Sequence, residues 1–110
     1  MIKIKFKSDK YKIVRGGYSR LLDISCAKCG THLFFYQKDG PGILKRMYVD
    51  RIFESEQYTD EKFGSLKRIP NLACSTCNMI LGISYVYEKE KRIAIRLFVG
   101  SITKKIIKSR

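Results

Sequence analysis

The chain has no apolar run that approaches a membrane span. Its longest runs, such as Met79-Ile80-Leu81-Gly82-Ile83, fall far short of the ~20 residues a bilayer requires, so no membrane partner is expected. The N-terminus, MIKIKFKSDKYK, alternates apolar with basic residues and lacks the continuous apolar block and small residues of a secretory signal. A cytoplasmic protein is therefore expected, in a compartment where thiols stay reduced. Catalytic signatures are missing too. There is no carboxylate pair in a recognisable motif, no glycine-rich phosphate loop and no nucleophile beside its base. A non-enzymatic protein is expected, and no small-molecule substrate is implied. Acidic residues are scarce, 10 against 23 Lys+Arg, for a formal charge of +13. No fixed-period repeat is present, and no convincing amphipathic helix. Only the polar stretch Glu54–Lys67 is ambiguous, readable as a helical turn or a long loop.

What remains is a globular composition, 45% apolar over 110 residues, enough for one domain spanning residues 1–110. Its dominant period is two. Ile2, Ile4 and Phe6 alternate with Lys3, Lys5 and Lys7, the pattern of a strand with one buried face. Ile93, Ile95, Leu97 and Val99 share one face of a later run, and Ile83, Tyr85 and Tyr87 share one in the run before it. The quartet Glu88-Lys89-Glu90-Lys91 separates those runs at hairpin distance. Gly100-Ser101 breaks the chain before another strand, Ile102 to Ile107. Strands are also expected at Leu33–Gln37 and Leu44–Phe53, joined by the turn KDGPG. The fold class is all-β or nearly so.

Every cysteine falls in a Cys-x-x-Cys pair: Cys26/Cys29 and Cys74/Cys77. Two pairs with no odd cysteine fit a tetrahedral four-thiolate site, for which zinc is the usual metal and iron a possible substitute. Two intervening residues make a tight turn that brings both sulfurs to one metal, with backbone N–H groups aimed at them. Such a knuckle closes on a residue of positive φ, which glycine adopts freely and asparagine tolerates; Gly30 and Asn78 follow the two pairs. The 44 residues from 30 to 73 between the pairs must hold a whole β-unit, its ends clipped together by the metal. A redox pair and two disulfides are the alternatives. The first is disfavoured because strands, not helix N-termini, follow the cysteines, and the second by the expected compartment. With four thiolates present, His32 is not needed as a ligand. It reads as a strand residue or a hydrogen-bond partner close to the site.

The pattern CAKCGTHLFFY, followed one β-unit later by CSTCNMILGISYVY, resembles the β-tent zinc domains. These include the yippee-like proteins, the thalidomide-binding domain of cereblon and methionine sulfoxide reductase B. The resemblance covers about residues 24–100, with Leu33, Leu81-Gly82 and Tyr85 at the positions the family favours. It implies two small antiparallel sheets joined by a structural zinc on four cysteines. It does not extend to the reductase's activity, because no cysteine follows Cys77, nor to a cage of tryptophans, because the chain has none. Tyr36, Tyr48, Tyr85 and Tyr87 are the candidates for an aromatic pocket.

The charge is distributed unevenly. Residues 1–20 hold seven basic side chains and one acidic, residues 89–110 eight and one, and the middle eight of each. If these basic terminal strands are neighbours, they form one basic face. Four thiolates and one Zn²⁺ contribute −2, leaving about +11 for the metal-bound chain. The expected function is a zinc-binding module whose basic surface takes an anionic partner, a protein or a nucleic acid. Lys3, Lys5, Lys7, Arg92, Arg96, Lys104 and Lys105 are candidate contacts. Tyr11, Tyr18 and Phe98 could stack on unpaired bases of RNA or single-stranded DNA. In the 44–53 strand, Lys45, Met47, Val49 and Arg51 alternate with Arg46, Tyr48, Asp50 and Ile52. That pattern suits an edge strand, an exposed segment with an Asp50–Arg46 pair, or a partner-binding strip carrying Arg46 and Arg51.

Overall fold

The computed structural model describes residue 7, residues 9–55 and residues 70–107. In chain order these form α1 (Lys10–Val14), β1 (Ser19–Cys26), β2 (His32–Asp39), β3 (Arg46–Tyr48), a 3-10 turn (Val49–Arg51) and β4 (Ile52–Phe53). Then follow β5 (Leu72–Ala73), β6 (Ile80–Tyr87), β7 (Arg92–Leu97) and β8 (Ile102–Ile107). The fold is all-β, in two four-stranded antiparallel sheets ordered β4-β2-β1-β8 and β3-β7-β6-β5.

Period-two alternation builds the core. Leu22, Ile24 and Cys26 of β1 and Phe34 and Tyr36 of β2 point inwards from the first sheet. Met47, Leu72, Leu81 and Ile95, all essentially inaccessible, meet them from the second. The β6–β7 hairpin turns through Glu88–Lys91, with Lys91 at φ +52°. At Gly82, a Cβ would lie 2.6 Å from Ile95 Cγ2 and 2.8 Å from the Arg96 carbonyl oxygen. Only glycine lets these strands approach so closely.

The chain ends depart from expectation. Residues 10–14 form a short helix, not part of a basic strand. Asp9 caps it, accepting from the N–H groups of Tyr11 and Lys12. The strand expected at Ile2–Phe6, with Lys3 and Lys5, lies outside the described residues, as does most of Glu54–Lys67. At the other end, β7 and β8 belong to different sheets. Arg92 and Arg96 therefore do not share a face with Lys104 and Lys105.

The expected strand over 44–53 is broken. Its first part is the β3 edge of one sheet and its last part the β4 edge of the other, with the 3-10 turn crossing between them. The turn swings Arg51 inwards. Its guanidinium, 1% exposed, donates to Asp9 at 2.6 Å and to Asp39 at 2.9 Å. Asp50 does not pair with Arg46; it accepts two bonds from Arg92, at 2.6 and 3.0 Å. Arg92 is buried, bound also to Glu90 at 2.9 Å and flanked by the rings of Tyr48 and Tyr11 at 3.7 and 4.1 Å. Arg15 joins the network through Glu90 and the Tyr48 hydroxyl.

Candidate metal centre

Each Cys-x-x-Cys pair sits at the closed end of a hairpin, between β1 and β2 and between β5 and β6. The two turns use the same bonds. Gly30 N–H donates to the Cys26 carbonyl at 2.8 Å and Asn78 N–H to that of Cys74 at 2.9 Å. The N–H groups of Cys26 and Cys74 donate to the carbonyls of Thr31 and Met79. Gly30 has φ +80° and Asn78 φ +62°, the left-handed closure the sequence predicts.

This places the four Sγ atoms within 4.8 Å of one another. Across the two knuckles, Cys26–Cys77 measures 3.8 Å and Cys29–Cys74 3.4 Å. A tetrahedral ion with Zn–S bonds of about 2.3 Å requires S···S separations of about 3.8 Å, so the donor set fits such an ion. None of the four cysteines is paired in a disulfide. Cys29 is drawn down to about 6, first by the Thr31 hydroxyl 3.1 Å away and then by the Thr31 N–H. Cys74 is lowered by the N–H groups of Cys77 and Thr76. Cys77 is pushed up to about 11: the Met79 N–H favours its thiolate, but burial and the three neighbouring sulfurs outweigh that. Four thiolates this close repel one another, and a central cation removes the conflict.

Ser101 ties the first knuckle to β6. Its carbonyl accepts from Ala27 N–H at 3.0 Å, and its buried hydroxyl donates to the Leu81 carbonyl at 2.8 Å. The sequence marks it only as a chain break, because a serine after glycine carries no sign of a distant partner. His32 lies outside the sulfur cluster. Its Nδ1 is 2.7 Å from Asp23 Oδ1, and its ring packs 4.8 Å from that of Phe35.

The remaining candidates scatter. Arg51 and Arg92 are internal, as are Tyr36 and Tyr48. Lys7 is exposed; its Nζ donates to the Asp50 carbonyl, and its backbone pairs with the Gln37 amide. Lys104 and Lys105 are exposed on β8. Arg46, Arg96, Tyr85 and Tyr87 come together with Ile83 and Lys45 around an open pocket of about 700 Å³ on the second sheet. Lys45 was not among the candidate contacts, although a basic dipeptide just past the Gly-Pro-Gly turn was a usable signal.

No helix among the described residues is long and apolar enough to cross a membrane. No protein-family model, curated protein or solved structure matches this chain.

Proposed function

We propose that this chain is a one-domain, non-catalytic binding module, in which Cys26, Cys29, Cys74 and Cys77 hold one structural zinc ion and a basic surface takes an anionic partner. The observation that carries the reading is the convergence of four sulfurs from two hairpins at separations suited to a tetrahedral ion. Zinc is favoured because an all-thiolate set with a closed shell is its usual structural site. With four protein ligands, no position is left open for a substrate, so the ion's part is to hold the sheets. The resemblance to β-tent domains agrees with this arrangement of two small sheets and two knuckles.

Metal analysis tests the reading. Chain purified without added metal should contain close to one zinc per molecule, with all four thiols shielded from alkylation until a chelator is added. Replacing Cys74 with serine should abolish stoichiometric zinc. Zinc-free protein with four freely reactive thiols and an unchanged NMR spectrum would refute it.

A further inference from the structure

We propose that the face of the second sheet carrying the open pocket binds single-stranded nucleic acid, with Lys45, Arg46 and Arg96 meeting phosphates and Tyr85, Tyr87 and Ile83 meeting bases. The proposal rests on reading the chain as a binding module and gives that module its site.

Strand register assembles the face. Arg46 of β3 lies opposite Arg96 of β7, and Arg96 opposite Ile83 of β6. In the next row Ala94 stands between Tyr48 and Tyr85. Ala94 is fully buried beneath this face, and the pocket of about 700 Å³ is lined by Lys45, Arg46, Ile83, Tyr85, Tyr87 and Arg96. That is ample for a nucleotide and open enough for a chain to run through.

The arginines on this face differ from those of the buried network. Arg15, Arg51 and Arg92 are each bound to carboxylates. Among the described residues the pocket is lined by three cations and no acidic side chain, and none of the three has an ion-pair partner there. Arg46 is already held for its task. Its Nε donates to the Tyr85 hydroxyl at 2.5 Å and its Nη1 to the Tyr48 hydroxyl at 3.1 Å, while its Cζ lies 3.9 Å from the Tyr87 ring centre. Its Nη2 makes no hydrogen bond within the described residues, and so can meet a phosphate with little further loss of side-chain freedom.

The aromatic side selects the class of ligand. Tyr85 and Tyr87 are partly exposed, and Ile83 is 40% exposed. Tyr87, with the Arg46 guanidinium against its ring, is an aromatic side chain of the kind on which unpaired bases stack. An acidic peptide could satisfy the cations but has no plane for the tyrosines, and a duplex keeps its bases stacked inside. The excess of cations over the whole chain, +13 before metal, also favours a polyanion.

The test uses the full zinc-loaded chain and a fluorescein-labelled oligouridylate of about ten nucleotides, read by anisotropy between about 50 and 200 mM salt. Three phosphate contacts predict a log–log salt slope of about −2. Lys45→Glu with Arg96→Glu should weaken binding about tenfold or more and flatten the slope. Tyr87→Ala should weaken it about fivefold or more with the slope retained. Lys104→Glu with Lys105→Glu changes the net charge equally but lies on β8, and should cost much less. Equal losses in the two charge-reversed proteins would overturn the proposal. So would competition by a matched duplex, by polyglutamate or by uridine monophosphate as effective as that by the single strand. Each variant is first shown to be folded and zinc-loaded, so failure to bind would sink this site and leave the metal reading standing.

Discussion

Arg51 is 1% exposed and holds Asp9 and Asp39 at 2.6 and 2.9 Å, while Ser19 and Gln37 complete the shell of Asp39. A buried guanidinium that loses a carboxylate keeps its desolvation cost without the compensating attraction. Asp39→Asn should therefore destabilise the zinc-loaded protein by about 3 kcal/mol, measured by urea denaturation at neutral pH. Burial by itself would raise the pKa of Asp39, but the hydrogen bonds from Ser19, Gln37 and Arg51 and the charge of Arg51 outweigh it and hold the carboxyl below its ordinary value. Its folded pKa thus lies below its unfolded one. The stability it adds is present above about pH 4 and is lost as pH falls through the folded value. At acid pH the four thiols take up protons and release the ion, so the comparison is made in the metal-loaded range. There the difference between wild type and Asp39→Asn should stay constant from about pH 7 to 5. A difference that already falls within that range would show that a group other than Asp39 is responsible. None of this was legible in the sequence. A burial-seeking arginine looks the same as a solvated one until its partners are known, and Arg92 finds Asp50 across 42 residues. Both were accordingly expected on the surface.

The elements were readable where the information is local. The two knuckles follow from the spacing of four cysteines and the residues behind them, and Gly30 and Asn78 take the left-handed conformation that closing the turn demands. The β6–β7 hairpin follows from two alternating runs and a polar quartet. The segment 44–53 does supply edge strands, as its two charged faces suggest. Its break was not foreseen, because its alternation is that of one strand, while the 3-10 turn depends on where each sheet needs an edge. Gly82 marks the boundary between these cases. The Leu-Gly pair was noticed, but its reason is the approach of β7, with Ile95 and the Arg96 carbonyl where a side chain would begin. Gly82→Ala must push the two strands apart, and should cost about 1–3 kcal/mol. A lowered Tm with zinc stoichiometry preserved is the expected result. An unchanged Tm would mean that the strands can separate freely.

Across the whole molecule, the proposed ion closes a 44-residue excursion between the knuckles, and long closures gain the most from a clip. Structural zinc binding in small peptides is worth about 10–16 kcal/mol, as much as the whole stability of an ordinary domain, about 5–15 kcal/mol. Complete chelation at neutral pH should therefore abolish most native far-UV circular dichroism and NMR dispersion, and added zinc should restore both. A chelated protein that keeps its dispersion would show that the core and the arginine network suffice. The lengths of the outer strands have a consequence of another kind. β4 and β5 span two residues each and β3 three, too few backbone groups to template the growth of a sheet from one molecule into the next. Among the described strands, β8 is the long edge, six residues with four exposed in its middle. Lys104 and Lys105 stand there as adjacent charges on alternate faces, so a second molecule approaching that edge meets ammonium groups from either side. Those two lysines then serve less to attract anything than to keep copies of this chain apart.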